Sequence, residues 1–162
     1  MSLTVERSSP TTLTITRRFK APPARVFAAH VEPDLITRWC YGFEGWRMPV
    51  CVNDARPGGA LRWEWANDEG AGFHVTGTYE SVEPPKDGRP GRIKHVERMH
   101  LPDPTPDNHI TTTFAPDGAG TLLTVVMQVD TPEQMEAMIA TGMTDGMEVT
   151  YARIDDLEPA EA

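Results

Sequence analysis

An alternating pattern of apolar and polar residues first appears near the N-terminus. Leu13, Ile15 and Phe19 are separated by threonine and arginine residues. Side chains on a strand point alternately to its two faces, so this period of two predicts a half-buried strand over residues 13–19. Prolines then mark two helix starts, because proline fits the first turn of a helix. The sequence therefore predicts short helices over 24–31 and 33–39 after the first strand.

The central part of the chain alternates strand-like runs with short turn sequences. Segments rich in glycine, proline and aspartate divide it at regular intervals, which is typical of antiparallel hairpins. The predicted strands are 46–54, 60–66, 72–82, 91–99, 109–115 and 120–129.

The C-terminal region predicts a capped helix. Thr131 is a favourable N-cap, Pro132 occupies the first helical position, and Gln134 completes a capping box. Apolar or small residues then recur every three or four positions and predict one buried stripe. The stripe comprises Ile139, Met143, Met147, Thr150, Ile154 and Leu157. Gly146 lies within it and leaves a position without a side chain, whereas Gly142 is a candidate break in the helix.

These elements predict an α+β fold. One curved antiparallel sheet of about seven strands has two short helices after its first strand and a long C-terminal helix. Residues 1–10 are predicted to be an N-terminal extension, 11–157 a single domain and 158–162 an acidic tail.

Composition narrows the functional classes. A chain of 162 residues has the length of one domain. Its net charge of -9 and scattered basic residues argue against binding nucleic acid. The sequence contains no apolar run long enough to insert into a membrane and no secretory signal, so a cytoplasmic location is expected. Cys40 and Cys51 are expected to be free thiols.

Four segments together resemble the START-like (SRPBCC) superfamily, and more narrowly its bacterial branch of Aha-type homologues, named after the heat-shock ATPase activator. They are Asp54-Ala55-Arg56-Pro57-Gly58-Gly59, Gly77-Thr78-Tyr79-Glu80-Ser81-Val82-Glu83-Pro84-Pro85, Ile93-Lys94-His95-Val96-Glu97-Arg98 and Thr141-Gly142-Met143-Thr144-Asp145-Gly146-Met147. The resemblance covers residues 11–157 and implies the helix-grip fold, in which the long C-terminal helix packs on the concave face of the sheet. It also implies a cavity for hydrophobic ligands, but not one particular activity.

Two candidate catalytic residues share a strand face. Alternation places His95 and Glu97 on the same side of the strand 91–99. A carboxylate in apolar surroundings can serve as an acid or base, an imidazole titrates near neutrality, and Tyr79 is a candidate for orienting a substrate. The structural alternative is that Glu97 pairs with Arg62, Arg92 or a tyrosine.

The same histidine and glutamate could be two ligands of a metal ion. A third ligand would be His74, His100 or His109. The spacing matches no zinc or iron site, so the sequence predicts neither a metal nor a cofactor. The cysteines and serines also lack the sequence context of a nucleophile, which argues against covalent catalysis.

Large aromatic and methionine side chains supply candidate walls for a ligand cavity. The predicted ligand-binding residues are Trp39, Trp63, Trp65, Phe73, Tyr79, His95, Glu97, Met99, Phe114, Met127, Met143, Met147 and Tyr151. The alternative for each apolar residue among them is that it belongs to the core. Trp63 and Trp65 share a strand face, so they are expected to lie on the same side of the sheet.

The sequence is consistent with three functions. The leading hypothesis is a small protein that binds a hydrophobic or amphipathic molecule between the sheet and the C-terminal helix. The second is an enzyme that uses the same cavity, with Glu97 and His95 as acid and base. The third is an activator of a heat-shock ATPase, ranked last because the chain has one domain. The aromatic segment 39–46 could also form a homodimer contact or the lid of a pocket.

Overall fold

The computed structural model describes residues 2–101 and 103–157. The elements, in chain order, are β1 (Thr4–Ser9), β2 (Thr12–Phe19), α1 (Pro23–Val31), α2 (Pro33–Trp39), β3 (Trp46–Asn53), β4 (Ala60–Asn67), β5 (Gly72–Glu83), β6 (Gly91–His100), β7 (Asn108–Asp117), β8 (Gly120–Gln128), α3 (Pro132–Ala140) and α4 (Met143–Ala152). A 3₁₀ turn, Ile154–Asp156, follows α4. The predicted α+β class, the two short helices and the central strands are confirmed.

All the strands belong to one antiparallel sheet with the order β1-β2-β8-β7-β6-β5-β4-β3. The connection from β2 to β3 therefore runs from near one edge of the sheet to the opposite edge. Helices α1 and α2 form this connection and lie across the concave face, where α1 packs on β6, β7 and β8. Side chains from the helices and the concave face fill the core between them.

The sheet has eight strands, one more than the sequence analysis predicts. The additional strand is β1, which lies within the predicted N-terminal extension and pairs with β2. Its residues are exposed on both faces apart from the half-buried Ser9. Because neither face is buried, β1 lacks the alternating apolar pattern by which the other strands are recognised. The predicted acidic tail, 158–162, lies outside the described residues.

The C-terminal helix is divided at Gly142. This residue adopts a φ of +76°, a left-handed conformation that glycine reaches without strain. The predicted N-cap is present, because the Gln134 N–H donates to Thr131 Oγ1 at 3.1 Å. The Gln134 side chain accepts from the N–H of Asp130 at 3.0 Å, one residue before the cap. The two helices therefore begin at different sequence features: α3 begins at a capping motif, and α4 begins after Gly142.

The break changes which residues of α3 are buried. Ile139 was predicted to belong to the buried stripe, but 39% of its surface is exposed. Met135 is completely buried in α3 instead, whereas Thr150 and Ile154 are buried as predicted. The left-handed residue shifts the helical phase between α3 and α4, so one continuous stripe cannot run through both.

Candidate functional site

One half of the concave face is filled by side chains. The strands β2, β7 and β8 contribute Leu13, Ile15, Phe114 and Leu123, none more than 1% exposed. The Phe27 ring of α1 packs edge to face on Phe114, with 5.3 Å between ring centroids. This half is close-packed core and offers little room for a ligand.

The other half, formed by β4, β5 and β6, is less densely covered. Trp63, Trp65, Phe73 and Met99 are only half-buried, although they project from the concave side. Trp65 stacks on Phe73 with centroids 4.8 Å apart, and Trp63 meets Trp65 edge to face at 6.3 Å. The prediction that the two tryptophans share a face is confirmed. We refer to the concave surface of β4, β5 and β6 as the open half.

Helix α4 provides a second apolar surface. Met143 and Met147 are half-buried and pack against the core, and Thr150 is buried. Gly146 is three residues after Met143 and four before Thr150, so it lies on the same side of the helix. A Cβ atom at Gly146 would meet no atom within 4 Å. There is consequently space beside α4 at this position.

Polar side chains lie among these apolar residues. His95 Nε2 is 3.1 Å from Glu97 Oε2, and the two side chains are 11% and 22% exposed. The Tyr79 hydroxyl donates to Asn53 Oδ1 at 2.6 Å. Glu97 is paired with His95, and Arg62, one of the partners considered for Glu97, binds Glu64 at 2.7 Å instead. Glu97 is therefore held within the concave face rather than at the outer surface.

The charge of Glu97 acts on groups from several elements. Burial raises the pKa of the Cys40 thiol to about 12, and the Glu97 carboxylate adds to this shift. Burial and the same carboxylate raise the pKa values of the Tyr79 and Tyr151 hydroxyls. These residues lie on β5, on α4 and immediately after α2, so Glu97 occupies a central position. Burial also raises the pKa of Cys51 to about 11, and both free thiols remain protonated at neutral pH.

His30 of α1 is a site residue that the sequence analysis did not identify. Its ring lies 5.0 Å from the Trp39 ring and 5.0 Å from the Phe114 ring. Burial lowers its pKa to about 4, despite a 2.7 Å hydrogen bond between Nδ1 and the Val26 carbonyl. The ring is therefore neutral at pH 7, which makes Nδ1 the donor and leaves Nε2 as an acceptor. The only sequence signal was its position in an apolar helix.

The low pKa of His30 predicts a loss of stability in mild acid. The unfolded chain takes up a proton near pH 6.5, its ordinary pKa, but folded His30 does so only near pH 4. The unfolded state binds more protons between these values, so stability declines as the pH falls from about 6.5 to 4. The loss attributable to His30 is at most about 3 kcal/mol. Urea denaturation across this range should show it for the wild type and not for His30→Phe.

The exposed His109 provides the control for that measurement. His109→Phe should keep the pH dependence of the wild type, because the residue is exposed on β7. If His30→Phe and wild type lose stability in parallel, the proposed neutral state of His30 is wrong.

The candidate third metal ligands, His74, His100 and His109, do not lie beside His95. His74 and His100 form a cross-strand pair on the opposite, convex face, where their rings stack at 4.2 Å. Within residues 2–101 and 103–157, no group of three or more histidine, cysteine or acidic side chains is arranged to hold a metal ion. The structure gives no support to a metal site built on His95 and Glu97.

The predicted ligand-binding residues divide into two groups. Those in the close-packed core are Trp39, Tyr79, Phe114, Met127 and Tyr151, each less than 9% exposed. Those that are half-buried are Trp63, Trp65, Phe73, His95, Glu97, Met99, Met143 and Met147. Trp39 is further fixed by donating its indole N–H to the Ala29 carbonyl at 2.7 Å. Solvent reaches the side chains of the half-buried group, so a small molecule can also contact them.

Two other spaces are less suitable for a hydrophobic ligand. One, of about 20 Å³, lies between α1, α2 and the C-terminal turn and has room for one water. The other, of about 220 Å³, lies beside β1 and is lined mainly by polar residues, among them Thr4, Thr16 and Arg18. Neither combines the apolar walls and convergent polar groups typical of small-molecule sites.

The fold and the position of the C-terminal helices define a helix-grip protein of the START-like superfamily. The model of the family described as "Activator of Hsp90 ATPase homolog 1-like protein" matches residues 20–157, and the chain belongs to this family. The comparison with curated proteins gives no match.

Solved structures show the same fold over nearly the whole chain. A crystal structure of a protein from Rhodobacter sphaeroides is 30% identical, with a TM-score of 0.86 and 96% of each chain covered. Protein Ms6760 from Mycobacterium smegmatis is 23% identical, with a TM-score of 0.81 and 98% coverage of each chain. Protein CV1439 from Chromobacterium violaceum is 25% identical, with a TM-score of 0.74, covering 94% of this chain and 100% of its own.

The described helices are all too short or too polar to cross a membrane.

Proposed function

We propose that this protein binds a hydrophobic or amphipathic small molecule between the open half of the sheet and helix α4. The observation that carries the proposal is the incomplete burial of Trp63, Trp65, Phe73 and Met99 on the concave face. Large apolar side chains on the inner face of a sheet are normally covered, because each buried one contributes roughly 1.5–3 kcal/mol. A bound ligand would cover the apolar surface of these side chains that the protein itself leaves exposed.

The opposite wall supports the same proposal. Met143 and Met147 have flexible, polarisable side chains that adapt to irregular apolar shapes. Gly146 lies between these two methionines in the sequence of α4, and a Cβ atom there would meet no atom within 4 Å. A few polar groups, His95 and Glu97 among them, would orient the ligand within otherwise apolar surroundings.

The neutral fluorescent probe N-phenyl-1-naphthylamine tests this proposal. The wild type should bind it saturably, with increased probe fluorescence and quenching of tryptophan emission. Trp65→Ala should weaken binding roughly tenfold, which corresponds to about 1.4 kcal/mol of lost contact. Val52→Ala is the matched control, because Val52 is 55% exposed and on the face opposite to the tryptophans.

Two outcomes would contradict the proposal. Absence of saturable binding by the wild type would remove it. Equal weakening by Trp65→Ala and Val52→Ala would show that the probe binds elsewhere on the surface.

The contact between His95 and Glu97 favours a second candidate function, acid–base catalysis on the bound molecule. A carboxylate 3.1 Å from an imidazole can hold one ring tautomer and stabilise its charged form. This candidate requires that a bound compound be converted, which mass spectrometry of the recovered ligand would reveal. If every bound compound is recovered unchanged, the catalytic function is contradicted and only the binding function stands. Activation of a heat-shock ATPase, which the family description suggests, is a third possibility that the site geometry does not specifically favour.

A further inference from the structure

Three buried atoms on the concave side make no hydrogen bond to the described part of the protein. They are His30 Nε2, His95 Nδ1 and Asn108 Oδ1. We call His30, His95 and Asn108, together with Glu97, the acceptor cluster. Buried polar groups are usually satisfied, since leaving one without a partner costs the free energy of its lost hydration. Several such atoms in one region can therefore form hydrogen bonds with a polar group of a ligand.

His30 Nε2 and Asn108 Oδ1 are hydrogen-bond acceptors, and so is His95 Nδ1 in the tautomer that is protonated on Nε2. His30 uses its Nδ1–H on the Val26 carbonyl, so Nε2 presents a lone pair. When its proton is on Nε2, the His95 ring donates to Glu97 Oε2 at 3.1 Å and Nδ1 is the acceptor. Asn108 directs its amide NH₂ toward Met138 Sδ at 3.5 Å, and its amide oxygen is left without a donor. The carboxylate of Glu97 adds further acceptor capacity.

The residues of this cluster are neighbours in the fold. Asn108 on β7 is directly opposite Glu97 on β6, and His95 is two residues away on the same face of β6. His30 projects from α1, which packs on β6, β7 and β8. The Tyr79 hydroxyl is a nearby donor, but it is engaged by Asn53 at 2.6 Å. The cluster thus has acceptors in excess of the donors that face it.

We propose that the ligand of this protein carries an uncharged or positive hydrogen-bond donor, a hydroxyl or an amine, at its polar end, and that the acceptor cluster binds this donor and disfavours carboxylates. This inference rests on the proposed binding function and specifies its ligand class. A hydroxyl can donate one hydrogen bond to one of these acceptors, and an ammonium group can donate up to three. A carboxylate has none to give and would lie beside the negative charge of Glu97.

The proposal can be tested with four compounds that share an eight-carbon chain. They are octan-1-ol, octylamine, octyl methyl ether and octanoate, each titrated at pH 7.5 by displacement of N-phenyl-1-naphthylamine. The alcohol and amine should each bind roughly tenfold more tightly than the ether, because a hydrogen bond to a buried acceptor contributes about 1 kcal/mol or more. Octanoate should be the weakest of the four.

Substitutions within the acceptor cluster test whether it causes the preference for the alcohol over the ether. Asn108→Leu has nearly the size of the native side chain, and His95→Phe keeps an aromatic ring. Each should lower the ratio of alcohol to ether affinity severalfold. His109→Phe should leave both affinities unchanged, because His109 is exposed.

The outcomes separate this inference from the proposed function. If the ether and the alcohol bind equally well, or octanoate binds best, the donor preference is wrong while hydrophobic binding stands. If the fluorescent probe binds but none of the octyl compounds displaces it, the inferred ligand class is wrong. If neither the probe nor the octyl compounds bind, the proposed function fails as well.

Discussion

Replacing Phe114 by alanine is expected to lower the free energy of unfolding by about 3–5 kcal/mol. The Phe114 side chain is 0% exposed and meets the rings of Phe27 and His30 at 5.3 and 5.0 Å. Its removal leaves a cavity between the sheet and α1 that close-packed neighbours can fill only in part. Urea denaturation at pH 7.5 measures the effect.

Phe43→Ala is the matched control for this substitution. It removes the same side chain from a position that is 51% exposed, so the change in stability should stay within about 0.5 kcal/mol. A similarly small effect at Phe114 would mean that this residue lines an open space, as the sequence analysis proposed, rather than the close-packed half. The pair therefore tests the division of the concave face into a filled and an open half.

Replacing Gly146 by leucine is expected to reduce the affinity for N-phenyl-1-naphthylamine by at least about tenfold, or 1.4 kcal/mol. The new side chain would occupy the space beside α4 in which a Cβ meets no atom within 4 Å. Leucine is a better helix former than glycine by up to roughly 1 kcal/mol, so the fold should not be weakened. Fluorescence titration and thermal unfolding of the same sample separate the two effects.

A leucine on the solvent side of the adjacent helix controls for added apolar surface. Ala137 is exposed on α3, and Ala137→Leu should leave probe affinity unchanged. If Gly146→Leu binds the probe as tightly as the wild type does, the space beside Gly146 is not part of the binding site.

Much of the fold could be predicted because its signals are local. The first long strand is marked by alternation at Leu13 and Ile15, and both side chains are buried in the structure. The start of α3 is marked by Thr131 and Gln134, whose hydrogen bond at 3.1 Å is observed. Such patterns depend on neighbours within a few residues, and the sequence contains those neighbours.

The missed or misassigned features depend on contacts between distant segments. Strand β1 is exposed along nearly its whole length, and it forms because β2 offers it an edge with which to pair. Ile139 has the correct helical spacing for burial, but the left-handed Gly142 turns it toward solvent. In each case contacts with distant segments determine the pairing or burial that the local sequence pattern does not specify.

Only part of the candidate site could be predicted, because sequence patterns report relations between residues that are close in the chain. Strand alternation correctly placed His95 and Glu97 on one face, because that relation spans only two residues. Their neighbours His30 and Asn108 come from α1 and β7, and no spacing in the sequence connects them with β6. The acceptor cluster thus forms only when α1 and the sheet come together in the folded protein.

Methionine methyl NMR tests the location of the ligand most directly. The ¹³C-methyl resonances of Met99, Met143 and Met147 should shift on addition of octan-1-ol, because these side chains are half-buried on the two walls of the site. The resonances of Met127 and Met135 should change little, because these residues are 5% and 0% exposed in the core. Shifts confined to Met127, Met135 or other methionines, or no shifts at a saturating concentration, would contradict a binding site between the open half and α4.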